Sequence, residues 1–233
     1  MKKNFVIAID GPVGSGKGTL AVALARKLNA LYVYTGAMYR ELALACLRQK
    51  TNIKDEEEVL EVLNKSSIYF KPATEGIKAF LNGEDVSDEI FKPYVSKTVS
   101  IVAAFPKVRK EMVLRQRKIA QEAMQRGESV VMEGRDIATD VLPDADMKIY
   151  LTADINIRAK RRLKQFEDRG IKTNFEDVLR DLKERDNKDI QRSASPLRMV
   201  EDATAVDTTD DTIEQTVRKI EVLMAEQKEK GLI

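Results

Sequence analysis

The sequence predicts an α/β fold in which helices cover both faces of a parallel sheet. Short apolar runs typical of strands alternate along the chain with segments of helical periodicity, the pattern of right-handed β-α-β units. The first run, residues 5–9, is apolar at every position, as in a strand buried on both faces. With 233 residues, 43% of them hydrophobic, the chain is long enough for one elaborated domain and short for two.

Residues 9–19, I-D-G-P-V-G-S-G-K-G-T, predict a phosphate-binding loop. Glycines permit positive φ and carry no Cβ, so backbone N–H groups can converge on one anion. Lys17 adds a point charge, and the helix that begins after Gly16 adds unpaired donors and its dipole. A glycine-rich turn with a chance lysine is the alternative, but strand, loop and helix stand in the P-loop order. The expected phosphate-binding residues are Gly11, Pro12, Val13, Gly14, Ser15, Gly16, Lys17, Gly18 and Thr19.

The residue after the lysine departs from the usual P-loop pattern. Ser or Thr commonly stands there, whereas this chain has Gly18 followed by Thr19. We therefore expect Mg²⁺ to be held mainly by nucleotide oxygens and water rather than by a loop hydroxyl.

The composition excludes several kinds of function. The chain has no histidine, which excludes histidine-based acid–base chemistry and histidine-ligated metal sites. Its 40 basic and 38 acidic residues leave a net charge of +2, without the bulk field of a general nucleic-acid binder. The lone Cys46 allows no disulfide within the chain and fits a cytoplasmic location. No apolar run suits a signal peptide or a membrane span, so we expect no membrane association.

A second strand and helix follow the first β-α unit. Residues 31–34 predict a short strand, and Thr35 is expected to cap the helix after it. The second half of the chain continues the alternation, with strands expected at residues 130–133, 147–151 and 203–206 and helices beginning near residues 108, 155, 174 and 213.

An insertion with its own hairpin is expected at about residues 52–100. A short helix at residues 55–64 comes first, and strand-like runs at residues 67–71 and 77–81 follow. The second run ends in an Asn-Gly pair, a turn signal typical of hairpins.

Polar residues follow several of the predicted strands. Ligands of parallel sheets bind at the carboxyl ends of the strands, so we expect Asp10, Thr35, residues 133–136 and Asp154 to line one site. Taken singly, an arginine is more typical of a solvated surface, but as a set on a P-loop scaffold the arginines favour a second phosphorylated substrate. These arginines are Arg40, Arg109, Arg135, Arg158, Arg161, Arg162, Arg185 and Arg192.

Several separated motifs resemble those of the bacterial cytidylate kinases and run nearly end to end in family order. They are I-D-G-P-V-G-S-G-K-G-T at 9–19, T-G-A-M-Y-R at 35–40, L-N-G-E-D-V-S at 81–87, V-A-A-F-P-K-V-R at 102–109, E-G-R-D-I-A-T at 133–139, L-P-D-A-D-M-K-I-Y-L at 142–151 and K-E-R-D at 183–186.

The resemblance implies ATP-dependent phosphorylation of CMP and dCMP with Mg²⁺, by a protein that we expect to be a monomer. It also implies three parts of a single P-loop kinase domain. These are a core at about residues 1–51, 101–156 and 174–233, a monophosphate-binding insertion at about 52–100, and a mobile lid at about 157–173.

The resemblance further implies roles for individual residues. The cytosine would face Thr35, Arg109 and Asp136, although Arg192 is open as the arginine that reaches the base. The sugar would face Ser100, Arg185 and Asp189, and the acceptor phosphate would bind Arg40, Arg135 and Arg192. Tyr39 completes the substrate-binding set, and the expected catalytic residues are Lys17, Arg135, Arg158, Arg162 and Arg185. For Asp136 the alternative is that it pairs with Arg135 or caps the turn after it.

Two residues depart from the family pattern. Tyr34 stands where the family commonly has Asp, which removes a carboxylate near the phosphates. Glu133 also stands in place of an Asp and keeps a carboxylate of longer reach, so it is the candidate for holding a Mg²⁺-bound water.

The chemistry of a phosphate acceptor agrees with this set of residues. A phosphate oxygen is already an anion at neutral pH, so the site must position two polyanions and neutralise charge without a general base. Two alternatives stay open: a P-loop kinase that acts on UMP or AMP, and a nucleotide-binding regulator without turnover.

Overall fold

The computed structural model describes residues 4–73 and 76–229. In chain order its strands and α-helices are β1 (Val6–Asp10), α1 (Lys17–Lys27), β2 (Leu31–Tyr34), α2 (Thr35–Arg48), α3 (Glu56–Lys65), β3 (Ile68–Ala73), β4 (Gly76–Leu81), β5 (Glu84–Asp85), α4 (Pro93–Val102), α5 (Pro106–Gln125), β6 (Val130–Glu133), β7 (Met147–Thr152), α6 (Ile155–Glu167), α7 (Phe175–Gln191), β8 (Thr204–Asp207) and α8 (Ile213–Glu229). A 3-10 turn lies at Glu89–Phe91 and a π-helical turn at Ile137–Val141.

The central sheet has five parallel strands in the order β2-β6-β1-β7-β8. Its middle strand, β1, buries Ile7, Ala8 and Ile9 completely, as expected of a strand covered on both faces. Helices α1 and α8 pack on one face of the sheet, and α5 and the π-helical turn pack on the other. The predicted fold class is therefore confirmed.

The predicted hairpin is confirmed as the antiparallel pair β3 and β4, which β5 extends to a three-stranded sheet. Asn82 and Gly83 both have positive φ, 51° and 87°, as the predicted Asn-Gly turn requires. The small sheet packs with α2, α3 and α4 around a separate apolar cluster that includes Leu42, Leu63 and Val95. Strand β5 and helix α4 were not predicted.

A buried carboxylate joins this small sheet to helix α2. Glu41 is fully buried and accepts a hydrogen bond from the Phe80 N–H at 3.1 Å. Burial raises the pKa of Glu41 from its ordinary 4.5 to about 9, because a charged carboxylate is poorly solvated there.

The carboxyl ends of three strands meet at one edge of the central sheet. The register pairs Ile9 and Tyr34 with Glu133 from either side. The predicted cap at Thr35 is wrong: Tyr34 is the N-cap residue of α2 and makes no side-chain cap bond. The Thr35 hydroxyl instead donates to the Glu133 carbonyl at 2.8 Å, which ties the start of α2 to β6.

Helices α6 and α7 form a pair with a small apolar cluster of their own. Ala159, Val178 and Leu182 are buried in it, and Phe166 packs against them. None of the helices in residues 4–73 and 76–229 is both long enough and apolar enough to cross a membrane.

Candidate active site

The loop between β1 and α1 has the geometry of a phosphate cradle. Gly11 has a φ of 146°, and a Cβ at this position would lie 2.0 Å from the Leu151 carbonyl oxygen, so only glycine fits. Gly14 has a φ of 77°, and a Cβ at this position would lie 2.9 Å from the Arg158 carbonyl oxygen. Lys17 Nζ donates to the Pro12 carbonyl at 2.7 Å, which holds the lysine across the loop.

A carboxylate lies directly behind the loop. A Cβ on Gly18 would lie 3.0 Å from Glu133 Oε1, so the missing side chain at this position makes room for the longer acid. The Tyr32 hydroxyl donates to the same Glu133 oxygen at 2.5 Å. Burial lowers the pKa of Lys17 and raises the pKa of Glu133, and the opposite charges of the pair oppose both shifts.

An open cavity of about 700 Å³ extends from this loop. Its walls include Lys17 and Thr19 after the loop glycines, Glu133 of β6, Arg162 of α6, and Arg169, which follows α6. Burial, with Arg40 and Arg185 nearby, lowers the pKa of Arg162 to about 10. A positively charged wall facing a P-loop is suited to a polyphosphate.

A second cavity of about 430 Å³ contains every predicted substrate-binding residue. These are Thr35, Tyr39, Arg40, Ser100, Arg109, Arg135, Asp136, Arg185, Asp189 and Arg192. The two cavities share a wall formed by Tyr34, Arg40, Glu133, Arg135 and Arg185. A ligand in each cavity would therefore meet the other at a wall with three arginines.

The far end of the second cavity holds a buried ion pair. Asp136 Oδ2 accepts a hydrogen bond from Arg109 Nη2, and the two side chains are 6% and 3% exposed. Arg109 also donates to the Ala103 carbonyl at 2.9 Å and lies over the Tyr39 ring, 5.4 Å from its centroid. Both alternatives for Asp136 are wrong, because it pairs with Arg109 rather than Arg135 and makes no side-chain cap bond to the turn after it.

Two arginines of the shared wall, Arg40 and Arg135, donate hydrogen bonds to other residues of the protein. Arg40 donates to the Ile90 carbonyl and to Ser96 Oγ, both at 2.9 Å. Arg135 donates to Asp189 at 3.0 Å. Burial, together with repulsion from Arg135 and Arg40, lowers the pKa of Arg185 to about 10. Crowded, buried like charges of this kind favour an anionic ligand.

Comparison with known proteins assigns the family. The family model described as cytidylate kinase matches residues 7–226. The chain belongs to the cytidylate kinase family. The cytidylate kinase of Caldanaerobacter subterraneus subsp. tengcongensis is 47% identical over 92% of this chain and 92% of its own length. That of Leuconostoc mesenteroides subsp. mesenteroides is 46% identical over 93% of this chain and 95% of its own.

A solved structure shares the fold of this cytidylate kinase family member. It is an uncharacterized protein from Eubacterium ventriosum ATCC 27560, with a TM-score of 0.52 and 12% sequence identity. The match covers 95% of this chain and 99% of the other, and at this identity it shows the fold alone.

Arg158, an expected catalytic residue of this cytidylate kinase family member, is engaged by the protein itself. Its guanidinium donates to the carbonyls of Ala153 at 3.0 Å and Val13 at 3.1 Å, and to Asp186 at 2.5 Å. The side chain is 8% exposed and does not line the cavity beside the loop. Arg158 therefore fastens the P-loop to α6 and α7, whereas Lys17, Arg135, Arg162 and Arg185 do line that cavity.

Two carboxylates at strand ends have structural roles. Asp10 accepts hydrogen bonds from the backbone N–H groups of Ile137 at 2.9 Å and Ala138 at 2.7 Å, and burial raises its pKa to about 6. Asp154 is exposed and caps α6. The expectation that both line one site with the residues after β2 and β6 is therefore wrong, since neither lines the two cavities described above.

The carboxylates near the loop indicate where a metal ion could bind. Within residues 4–73 and 76–229, no group of three or more acidic or cysteine side chains could hold a metal ion. Both Asp10 oxygens are already bonded to backbone, which leaves Glu133 as the carboxylate beside the loop. One protein carboxylate fits a cation that takes its other ligands from phosphate oxygens and water.

Several residues that line the two cavities were not predicted as site residues, among them two polar side chains of α7. Lys188 and Gln191 line the second cavity from α7, where Arg185, Asp189 and Arg192 already mark the same helical face. Their spacing from these residues in the sequence could have indicated that they line the same cavity.

Tyr34 was not predicted as a site residue either, and it lines both cavities. Its position directly before Thr35, a predicted substrate-binding residue, could have indicated that it lies at the site.

Proposed function

We propose that this chain transfers the γ-phosphoryl group of ATP to CMP or dCMP, which gives ADP and CDP or dCDP. The observation that carries the proposal is the shared wall between a P-loop cavity and a second cavity that ends in the Asp136–Arg109 pair. Two phosphorylated ligands placed in these cavities meet at Arg40, Arg135 and Arg185. Membership of the cytidylate kinase family supports the same assignment.

The donor phosphates would bind the P-loop, with backbone N–H groups, Lys17 and the α1 N-terminus as donors. A smaller cavity of about 200 Å³ adjoins the loop at Gly14, Gly16 and Thr19 and is bordered by Thr208. It shares no residue with the second cavity, which we call the acceptor cavity because CMP would bind there, so it suits the adenosine.

Kinases of this kind use a divalent metal, and we assign it as Mg²⁺. Mg²⁺ keeps several waters and prefers phosphate and carboxylate oxygens, which matches Glu133, the one carboxylate among the described residues that line the P-loop cavity. The metal would neutralise charge on the donor phosphates, and Tyr32 would orient Glu133 toward it.

CMP would lie in the second cavity. Its cytosine would face Thr35, Arg109 and Asp136, because a carboxylate can accept from the exocyclic amine while a guanidinium donates to ring acceptors. Ser100, Arg185 and Asp189 line the part suited to the sugar, and Arg40, Arg135 and Arg192 that suited to the phosphate. Arg192 donates to the Ser195 carbonyl at 2.6 Å and lies 3.5 Å from Asp189, a residue proposed to face the sugar. Arg109 pairs with Asp136, the carboxylate proposed to face the cytosine, so it is the better candidate for the base.

Transfer would proceed by positioning and charge neutralisation. The acceptor oxygen of CMP is already anionic, so no side chain has to remove a proton. Lys17, Arg162 and Arg185 would stabilise charge on the phosphoryl group in transit.

We further propose three working parts within the domain. Residues 52–100 would be the monophosphate-binding insertion, which contributes Ser100 to the cavity for CMP. Residues 157–173 would close over ATP through Arg162 and Arg169, and the remainder would form the core. The monomeric state and the cytoplasmic location stay predictions.

The test is coupled ADP release with CMP, dCMP, UMP and AMP as acceptors. We expect turnover with CMP and dCMP and much slower turnover with the other two. Faster turnover with UMP or AMP would contradict the acceptor assignment, and ADP release that needs no monophosphate would contradict the transferase.

A further inference from the structure

Tyr34 occupies the wall between the two cavities. It is the last residue of β2 and the N-cap residue of α2, and its side chain lines both the P-loop cavity and the acceptor cavity. Its ring stacks on Phe91, with centroids 6.4 Å apart and planes 7° apart. The ring is therefore held between the central sheet and the insertion.

Close packing fixes the other side of the ring. A Cβ on Gly36 would lie 2.6 Å from Tyr34 Cε2 and 3.0 Å from its hydroxyl. Glycine at position 36 thus lets the ring lie flat against the first turn of α2. The hydroxyl is placed as firmly as the ring, because a tyrosine has two side-chain torsions and both are constrained here.

Four arginines line a cavity together with Tyr34. Arg135 and Arg185 line both cavities with it, and Arg162 and Arg169 line the P-loop cavity. Within the described part of the chain the hydroxyl has no hydrogen-bond partner, whereas the hydroxyl of Tyr32 donates to Glu133. The Tyr34 hydroxyl is therefore a hydrogen-bond donor that no described residue engages, beside the guanidinium groups that line the same cavities.

We propose that the Tyr34 hydroxyl donates a hydrogen bond to an oxygen of the phosphoryl group as it passes between the two nucleotides, which makes Tyr34 a catalytic residue. The inference rests on the proposed function. The shared wall is where donor and acceptor phosphates meet, so the contact is strongest when both are engaged. A neutral donor adds a hydrogen bond to the developing charge without adding to the repulsion among the four arginines.

Tyr34→Phe is the direct test, because it removes the hydroxyl and keeps the ring that stacks on Phe91. We expect kcat with CMP to fall about ten- to a hundred-fold, the range for one hydrogen bond to a charged group. KM for ATP and for CMP should stay within about two-fold of wild type. Affinity for a bisubstrate analogue, an adenosine and a cytidine joined by a polyphosphate, should fall by a factor similar to the loss in kcat, while ADP and CMP bind separately as before.

Tyr69→Phe is a matched control, because Tyr69 lies on β3 outside both cavities. It should leave all of these values unchanged. A Tyr34→Phe protein with wild-type kcat and wild-type analogue affinity would overturn the inference. So would a rise in the KM for CMP alone, which would mean that the hydroxyl serves only ground-state binding. If the wild-type chain shows no CMP-dependent ADP release, the proposed function itself fails, a result distinct from either of these.

Discussion

Replacing Asp136 by Asn tests how the proposed enzyme distinguishes cytosine from uracil. Cytosine presents an amine at position 4, and the Asp136 carboxylate can accept from it. Uracil presents a carbonyl there, so two acceptors would face each other in a site where Asp136 is 6% exposed. A buried polar mismatch costs about 1–3 kcal/mol, so wild type should use UMP roughly ten- to a hundred-fold less well than CMP.

The Asp136→Asn variant should reduce the difference in activity between CMP and UMP, because it should use UMP better and CMP less well than wild type. An Asn amide can donate to the uracil carbonyl, which relieves the mismatch, and it is a weaker acceptor than a carboxylate for the cytosine amine. We expect kcat/KM for CMP to fall by about ten-fold or more and the CMP-to-UMP ratio to shrink by a similar factor.

The Asp136→Asn variant should also be less stable than wild type, because Asp136 pairs with Arg109. Arg109 is 3% exposed and loses its counter-charge, although the amide oxygen can still accept its hydrogen bond. Removing one member of a buried pair costs about 3–5 kcal/mol when nothing replaces it, so the Asn variant should lose less than that. Thermal unfolding measures this loss separately from specificity.

Steady-state assays with CMP and UMP on wild type and variant decide the question. Asp140→Asn is the matched control, because Asp140 lies on the same turn, accepts from Thr139 and does not line the acceptor cavity. It should leave the ratio unchanged. If Asp136→Asn lowers activity with CMP and with UMP by the same factor, Asp136 does not distinguish cytosine from uracil and the proposed base contact is refuted.

Three further predictions follow from the loop, the lid and the buried acid. Lys17→Ala should lower kcat by two or more orders of magnitude without unfolding the chain, and near-normal activity in a folded variant would argue against the P-loop mechanism. Residues 157–173 should gain protection from hydrogen exchange when a bisubstrate analogue is added, since Arg162 and Arg169 then gain phosphate partners; equal protection in both states would contradict a lid. Because the pKa of Glu41 is raised from 4.5 to about 9, its contribution to stability is present in full below about pH 4.5 and declines by up to about 1.4 kcal/mol per pH unit toward pH 9. Glu41→Gln should remove that decline in urea unfolding measured from pH 5 to 9, and an unchanged pH slope would exclude a protonated Glu41.

Most of the central sheet could be predicted because most of its strands form short apolar runs in the sequence. The predicted runs at residues 31–34 and 130–133 coincide with β2 and β6. Strand β5 has two residues, both exposed, and leaves no hydrophobic pattern to detect. Helix α4 did have a signal, since Pro93 stands at its first position and Val95, Val99 and Val102 recur at helical spacing.

The sequence predicts which residues line the candidate site better than it predicts which residues they bond to. Sequence position indicates that Arg158 follows β7, but not that its guanidinium bonds to the Val13 carbonyl, because that contact depends on how the P-loop lies against α6. The same holds for Arg109 and Asp136, which are 27 residues apart. Their pairing follows from α5 packing against the turn after β6, a tertiary contact without a local pattern.

Asp10 shows why a carboxylate at a strand end can matter for transfer without facing a nucleotide. It directly precedes Gly11, and its two oxygens hold the backbone of Ile137 and Ala138, the residues that follow Asp136. The loop proposed to bind ATP and the segment proposed to read cytosine are thus joined through one buried side chain. Phosphoryl transfer depends on the alignment of the two substrates, and a displacement of about 1 Å can cost about a hundred-fold in rate. Because both Asp10 oxygens bond to backbone, Asp10 can keep that alignment, and Glu133 is the carboxylate left for the proposed contact with the metal.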